Sequence, residues 1–141
     1  INITGLQLEV GTEATPFENR PYDMELQRCH RYFYQQTLTD NLETICVSAC
    51  YGNTSTFGVI RFPIQMRTAP TGSISDVADF AVFEAGSGSV VTSFACQEPS
   101  TITAQLNFAS TNNQTSGNAA WVRGNSITPD GSQWLKFDAE L

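Results

Sequence analysis

Short runs in which apolar and polar residues alternate recur along this chain, and they limit its fold more than any other feature. Such alternation has a period of two residues and places successive side chains on opposite faces of a β-strand. The segment Thr44–Tyr51 is typical, and one face of its predicted strand carries Ile45, Val47, Ala49 and Tyr51. Glycine, asparagine and proline separate the runs, so the pattern predicts short strands joined by turns.

Most of the chain after residue 30 follows this pattern. A turn at Gly52–Asn53 makes Thr44–Phe62 a predicted hairpin, and GSGS at Gly86–Ser89 predicts a second, flexible turn. Further strands are predicted at Arg31–Gln36, Ile74–Val77, Phe80–Phe83, Val90–Cys96, Thr101–Phe108, Ala119–Arg123 and Gln133–Leu141. About ten short strands with one early helix predict an all-β fold, namely a jelly-roll-like antiparallel β-sandwich with a short N-terminal α-helix.

The first thirty residues have a different organisation. LQLEV at 6–10 alternates and predicts a half-buried strand. Two prolines in the segment 12–21 fix φ there and predict a stiff, non-helical connector. Asp23 then stands where it could cap a helix. Apolar residues recur after it at roughly helical spacing, at Met24, Leu26, Cys29, Tyr32 and Phe33.

This first stretch carries a family resemblance. Its distinctive parts are LQLEVG at 6–11, ATPFENRPY at 14–22 and ELQRCHRYF at 25–33. Together they resemble the junction, found in bacteriophage tail-fibre and tail-spike-like proteins, between a jelly-roll domain and a C-terminal tip domain. The closing WLKFDAEL at 134–141 resembles the last strand of such proteins. The resemblance implies that residues 1–21 are the end of a preceding jelly-roll domain with its connector, and that residues 22–141 form the receptor-binding tip domain.

The same resemblance implies a function. It suggests a structural protein of the virion that assembles as a homotrimer and attaches the particle to its host. The protein would be made in the host bacterial cytoplasm and carried on a tail fibre or comparable appendage. Its partners would be two further copies, the upstream fibre domains, and a host cell-surface glycan or lipopolysaccharide. Neither the composition nor the residue spacing implies these properties by itself.

Charge and hydropathy exclude two classes of partner. Fourteen acidic residues against seven basic ones give a formal net charge of −7, and Lys136 is the single lysine. Binding of nucleic acid needs clustered lysine and arginine, so we expect no nucleic-acid partner. No apolar run approaches the roughly 20 residues that a membrane-spanning helix needs, so we expect no membrane insertion either.

The four cysteines favour neither disulfides nor a metal site. Cys46 and Cys50 are four residues apart, which in a strand separates them by about 13 Å, too far for a disulfide. A zinc site needs well-spaced ligands, and a chain with one histidine and no CxxC motif does not supply them. We therefore expect buried free thiols that behave as small hydrophobic residues, and no metal or other cofactor.

Catalysis is poorly supported by the sequence. His30 is the only imidazole, and it lies on the predicted helix between Arg28 and Arg31, without the base and orienting group that nucleophilic catalysis requires. A polysaccharide depolymerase would need two carboxylates at a set separation. Its candidates are the acids Asp76, Asp79, Glu84 and Asp130. Solvated loop acids are the simpler interpretation, so we expect no enzymatic activity.

Binding of a saccharide suits this sequence better. A neutral sugar needs an aromatic face against its C–H side and amides or acids around its rim. Candidate glycan-binding residues of this kind are Tyr51, Asn53, Asn112, Asn113, Gln114, Asn118, Trp121 and Asp130. The stretch Ser110–Asn118 has no apolar residue and predicts an exposed loop. The competing interpretation is that Trp121 and Trp134 fill the core and that the loop is only solvated.

Two functions from different classes thus remain open beside catalysis. The first is a multivalent adhesin that binds a host saccharide. The second is a purely structural module that trimerises or caps the fibre while another domain binds the host.

Overall fold

The computed structural model describes residues 6–8, 10–13, 15–16, 19–40, 43–111, 114–125 and 133–140. This part of the chain is mostly antiparallel β-structure with one short α-helix, as predicted. The helix α1 is Tyr22–His30, and a turn of 3₁₀-helix is Val77–Asp79. The strands are β1 Phe33–Leu38, β2 Thr44–Cys50, β3 Ser55–Arg61, β4 Thr71–Ile74, β5 Phe80–Glu84, β6 Ser87–Gln97, β7 Thr103–Ser110, β8 Ala119–Gly124 and β9 Gln133–Asp138.

Six strands form a closed barrel in the order β2-β3-β7-β6-β5-β8. The predicted sandwich is therefore wrong in its arrangement, although its antiparallel pairing is confirmed. The decisive strand is β8, because it pairs with β2 on one side and with β5 on the other. That double pairing joins the two ends of the sheet and leaves the barrel with no free edge. Alternation in a sequence predicts strands but does not show which edges meet.

The remaining strands form a small sheet in the order β1-β9-β4. It packs on the barrel where β3 ends, since the ring of Phe62 lies 4.9 Å from that of Phe137 on β9. Tyr34 of β1 completes this aromatic cluster. Leu38, Leu135 and Phe137 are fully buried and join one continuous hydrophobic core with the barrel interior.

The barrel interior is filled by side chains from alternate positions. On β7 the buried residues are Ala104, Leu106, Phe108 and Ser110, which matches the predicted alternation except at one end. The strand predicted at Thr101–Phe108 begins two residues later, at Thr103, and Ile102 before it is 43% exposed. The alternation itself is confirmed.

Strand β2 departs from the predicted phase. Its register against β8 shifts between Thr44 and Cys46, so Ile45 and Cys46 are both buried. Such a bulge places two residues of one strand opposite one of its partner and reverses the faces that follow. Val47 and Tyr51 consequently point outward, each 75% exposed, and Ile45 does not share their face as predicted.

The N-terminal region also differs from its prediction. Residues 6–8 and 10 lie outside any strand, and their apolar side chains are exposed. Helix α1 begins after Pro21, no side chain caps it, and Asp23 lies inside its first turn. No residue of α1 is buried. Tyr32 and Phe33 lie beyond its end, so the predicted helical spacing applies only as far as Cys29.

The turn between β5 and β6 is tighter than predicted. It consists of Ala85 and Gly86, both with positive φ (49° and 85°), between the paired residues Glu84 and Ser87. Two positive-φ residues suit the right-handed twist of a two-residue hairpin. Ser87 already belongs to β6, so the predicted turn at Gly86–Ser89 is wrong.

All four cysteines are free thiols. Cys46 and Cys50 are buried as predicted, Cys96 is half-buried, and Cys29 is exposed on α1, contrary to the prediction. Burial raises the pKa of the Cys46 thiol to about 12, so this group is a neutral, apolar part of the barrel at physiological pH.

Close packing between β2 and β3 gives a first test. A Cβ atom added to Gly58 would lie 2.5 Å from Sγ of Cys46. We expect Gly58→Ala to lower the free energy of unfolding by about 1–3 kcal/mol, because overpacking forces neighbouring atoms to move. Cys46→Ala removes the clashing sulfur. The double variant should therefore lose less free energy of unfolding than the two single variants lose together, by about 0.5 kcal/mol or more.

Chemical denaturation of the four proteins measures this coupling. Gly11→Ala is the matched control, since an added Cβ there meets its nearest atom at an ordinary 3.5 Å. Additive effects of Gly58→Ala and Cys46→Ala would contradict the packing described.

Candidate functional site

One end of the barrel brings together several of the predicted binding residues. We call this end the barrel tip and define it as residues 51–54, 84–87 and 114–118. Backbone hydrogen bonds join its segments: Cys50 N–H donates to Asn118 C=O (2.9 Å), and Gly117 N–H donates to Cys50 C=O (2.9 Å). Ser110 N–H donates to Thr54 C=O (2.8 Å). The β2–β3 turn is thus held by the β7–β8 connection.

A buried carboxylate lies at the centre of the barrel tip. Glu84, at the end of β5, is 7% exposed. Its carboxylate accepts hydrogen bonds from Thr115 N–H (2.8 and 3.1 Å) and from the side-chain amide of Asn118. The Cys50 thiol, 3.7 Å away, also donates to it. The Thr115 N–H bonds, followed by the Asn118 bond, hold the pKa of Glu84 below its usual range, so the carboxylate stays ionised and fixes the loop.

Gln114 anchors the same loop at a second point. Its side chain is buried, donates to Ser110 Oγ (2.7 Å) and accepts from Thr56 Oγ1 (2.8 Å). The prediction that Ser110–Asn118 is exposed throughout is therefore wrong for Ser110 and Gln114. Both polar side chains are buried because they satisfy each other's hydrogen bonds.

Tyr51 and Asn53 are two exposed residues of the barrel tip. Tyr51 is 75% exposed, and its ring rests edge-to-face on Phe57, with 5.6 Å between centroids. Asn53 is exposed, and its backbone C=O accepts from Gln114 N–H (3.4 Å). Asn118 is exposed beside them. The predicted residues Asn112, Asn113 and Asp130 lie outside the described part of the chain.

Trp121 is neither at the tip nor in the core. It points outward from the middle of β8, is 38% exposed and lies parallel to the Phe83 ring, with 6.4 Å between centroids. The Arg123 guanidinium covers the same Phe83 ring at 3.5 Å from its centroid. The alternation in AAWVR fits either face, so only the strand pairing decides that Trp121 faces outward.

A concave surface lies on the small sheet. It is an open groove of about 400 Å³ with the lining residues Thr71, Ser73, Lys136, Asp138 and Glu140. Trp134 is half-buried on the same strand, with Lys136 Nζ 4.4 Å from its ring centroid. Sequence reasoning missed this groove, because its walls come from strands about 65 residues apart whose register no local signal predicts.

The acids considered for catalysis have separate local roles. Asp76 accepts from Ala78 N–H (2.8 Å) and Asp79 accepts from Ser75 Oγ (2.7 Å). Asp79 and Glu84 lie at opposite ends of β5, about 16 Å apart at ~3.3 Å per residue, which is too far for the two carboxylates of a glycosidase. His30 packs edge-to-face on Tyr34, with 5.6 Å between ring centroids.

No protein-family model, curated protein or solved structure matches this chain. Within the described ranges, no three residues among His, Cys, Asp and Glu are grouped so that they could hold a metal ion. None of the helices found in these ranges has the length and apolar character needed to cross a membrane.

The role of Glu84 predicts a pH dependence. Because its pKa is lower in the folded protein than its usual value near 4.5, the ionised carboxylate stabilises the fold above that pH. This stabilisation is lost as the pH falls through the lowered folded-state value. We expect Glu84→Gln to lower the free energy of unfolding at pH 7. The difference in this free energy between the variant and the unmodified chain should shrink progressively between pH 5 and pH 2. Chemical denaturation at each pH measures it.

The exposed Glu98→Gln variant is the control and should follow the unmodified chain at every pH. A constant difference between Glu84→Gln and the unmodified chain across this range would contradict the proposed charge on Glu84.

Proposed function

We propose that this chain is the C-terminal tip domain of a bacteriophage tail fibre or comparable virion appendage, and that its barrel tip binds a host surface saccharide. The observation that supports this proposal is the exposure of Tyr51. Its aromatic ring is three-quarters exposed, on loops that buried hydrogen bonds hold in place. A ring so placed offers a flat apolar face that is already positioned before a ligand arrives.

The chemistry around Tyr51 suits a sugar. Its ring face can cover the C–H side of a pyranose, while the exposed amide of Asn53 can donate to and accept from hydroxyl groups. The loops that carry both residues need little ordering on binding, because Glu84 and Gln114 already fix them. Little of the binding free energy is then lost to conformational entropy.

The residue assignments follow from these positions. Tyr51 and Asn53 of the β2–β3 turn are proposed to contact the saccharide. Asn118 is proposed to do so as well, together with Asn112 and Asn113, which precede it in the sequence between β7 and β8. Gln114 instead supports the loop from inside the barrel. Trp121 lies on the barrel side and is removed from the binding set.

The virion role rests on the resemblance of both ends of the chain to tail-fibre proteins. As a homotrimer, the domain would present three tips at once. Several weak sites that engage together raise the overall affinity by roughly 10²–10⁴ without any new contact, if the geometry lets them bind simultaneously. A tip lined with amides and hydroxyls suits this task, because it recognises sugars without a large sticky apolar surface.

Tyr51→Ala tests the proposal. We expect it to weaken binding of the protein to its saccharide about tenfold, which corresponds to about 1.4 kcal/mol from one aromatic face. The measurement is binding to a panel of bacterial lipopolysaccharides and neutral oligosaccharides, first with the unmodified chain to find a ligand. Ile102→Ala, at the opposite barrel end and 43% exposed, is the control and should bind normally.

The other outcomes separate the rival functions. The proposal would be overturned in favour of a structural module if the chain bound no saccharide and if changes at Asn112, Asn113 and Tyr51 left adsorption of the virion to its host unaffected. Loss of binding with Lys136→Ala but not with Tyr51→Ala would move the site to the groove on the small sheet. Release of reducing ends from host polysaccharide would indicate a depolymerase.

A further inference from the structure

Strand β1 forms an open edge of the small sheet. The order β1-β9-β4 leaves two outer strands. The far side of β4 lies against the barrel, where a Cβ atom added to Gly72 would meet Cys96 of β6 at 2.7 Å. In contrast, β1 pairs with β9 on one side, and within the described ranges no strand pairs with its other side. An open edge presents N–H and C=O groups to which a further strand can bond.

The register of β1 against β9 shows which of its peptide groups are free. Ala139 N–H donates to Tyr32 C=O (2.7 Å), so Tyr32 and every second residue after it bond to β9 and its continuation. The N–H and C=O groups of Phe33, Gln35 and Thr37 therefore point away from the sheet. None of these groups bonds to a described residue. We call this row of three residues the β1 edge.

Both ends of the β1 edge are closed by the chain itself. Before it, Arg67 N–H donates to Arg31 C=O (2.7 Å). After it, the Glu43 carboxylate accepts from Thr39 N–H (2.7 Å). An incoming strand therefore finds free groups only at the three residues between these two contacts.

The composition of the β1 edge does not protect it from pairing. Natural edges are usually protected by lysine, proline or a bulge. Residues 33–37 read FYQQT and contain no charge and no proline, and their pairing with β9 has no register shift. The side chains of Phe33, Gln35 and Thr37 are exposed. A regular, uncharged edge of this kind can accept a further strand.

We propose that the β1 edge of one copy pairs antiparallel with the β1 edge of a second copy, about a twofold axis at Gln35. In this register Gln35 lies opposite the partner's Gln35, and Phe33 lies opposite the partner's Thr37. Facing residues of this type exchange both hydrogen bonds, so every free N–H and C=O group of the row finds a partner.

Other registers satisfy fewer of these groups. A shift by one residue would set each free group against a residue that already bonds to β9. A shift by two would set one end of the row against Arg31 or Thr39, whose groups are already used. The full match occurs only when the row meets its own copy about its central residue, and this self-complementarity selects a second copy as the occupant.

The contact does not rest on the proposed function. The small sheet packs where β3 ends, near Phe62, whereas the barrel tip lies where β3 begins. Pairing through the β1 edge therefore leaves Tyr51 and Asn53 uncovered. A twofold contact joins copies in even numbers, with two copies if it acts alone and six if it joins two threefold assemblies.

A charge at the twofold axis tests the pairing. Light scattering coupled to size exclusion should give the unmodified chain a mass that is an even multiple of 15.4 kDa. Gln35→Lys sets two like charges directly opposite each other and should halve this mass, and Gln35→Glu should do the same. An equimolar mixture of the two variants should restore the mass of the unmodified chain, because opposite charges then face each other.

Ser93→Lys is the matched control. Ser93 is exposed in the middle of β6, so a lysine there should leave the mass unchanged. The inference is overturned if the unmodified chain has an odd number of copies, if either variant at position 35 keeps the full mass, or if their mixture stays at half of it. A mass of one chain for the unmodified protein would leave the β1 edge to a strand of another protein.

Amide hydrogen exchange provides a second measurement. The N–H groups of residues 33, 35 and 37 should exchange more slowly in the unmodified chain than in Gln35→Lys, because pairing protects them. The N–H of Gln36 bonds to β9 and should be equally protected in both proteins. Equal exchange at residues 33, 35 and 37 in the two proteins would contradict the contact.

The two proposals fail in different ways. Tyr51→Ala should lose saccharide binding and keep the mass of the unmodified chain. Gln35→Lys should halve the mass and leave saccharide binding at the individual site intact. Failure of one proposal is thus distinguishable from failure of the other.

Discussion

Closure of the barrel through β8 is the constraint on which the rest of the structure depends. Pairing of β8 with both β2 and β5 leaves six strands without a free edge, so the barrel is open to other elements at its two ends. The small sheet packs on the barrel with aromatic side chains near one end, around Phe62 and Phe137. The other end is closed by polar groups, which requires every buried donor and acceptor there to find a partner.

The polar closure explains how the tip loops are held in place despite their polar composition. A buried carboxylate is tolerated only where hydrogen bonds replace the lost water, and Glu84 obtains them from Thr115 and Asn118. Gln114 does the same for Thr56 and Ser110. The buried side chains of Glu84 and Gln114 therefore hold the β7–β8 connection in place. This connection in turn holds the β2–β3 turn, where Tyr51 and Asn53 are exposed. The contacts that stabilise this end of the barrel are therefore the same ones that hold the loops proposed to bind a ligand.

The sequence predicts the strands well because alternation and turn residues are local signals. The hairpin of β2 with β3 and the buried face of β7 follow from period-two patterns alone. Barrel closure, the bulge that reverses β2 after Ile45, and the outward position of Trp121 depend on pairing between distant strands, which local patterns do not contain.

For the candidate site, the sequence predicted which amide and aromatic residues are available. It did not predict that the side chain of Gln114 points into the barrel. Its partner Thr56 lies 58 residues away.

Exposed apolar side chains and exposed tip residues lie on different parts of the barrel. The exposed side chains of Val47, Val59 and Trp121 lie on the side of the barrel, whereas Tyr51 and Asn53 lie at one end. A contact through the side of the barrel would leave the tip loops uncovered. A contact through the tips would instead bury the polar loops and cost them their hydration. The apolar side of the barrel and its polar end are therefore two separate surfaces, and the loops proposed to bind a saccharide belong to the second.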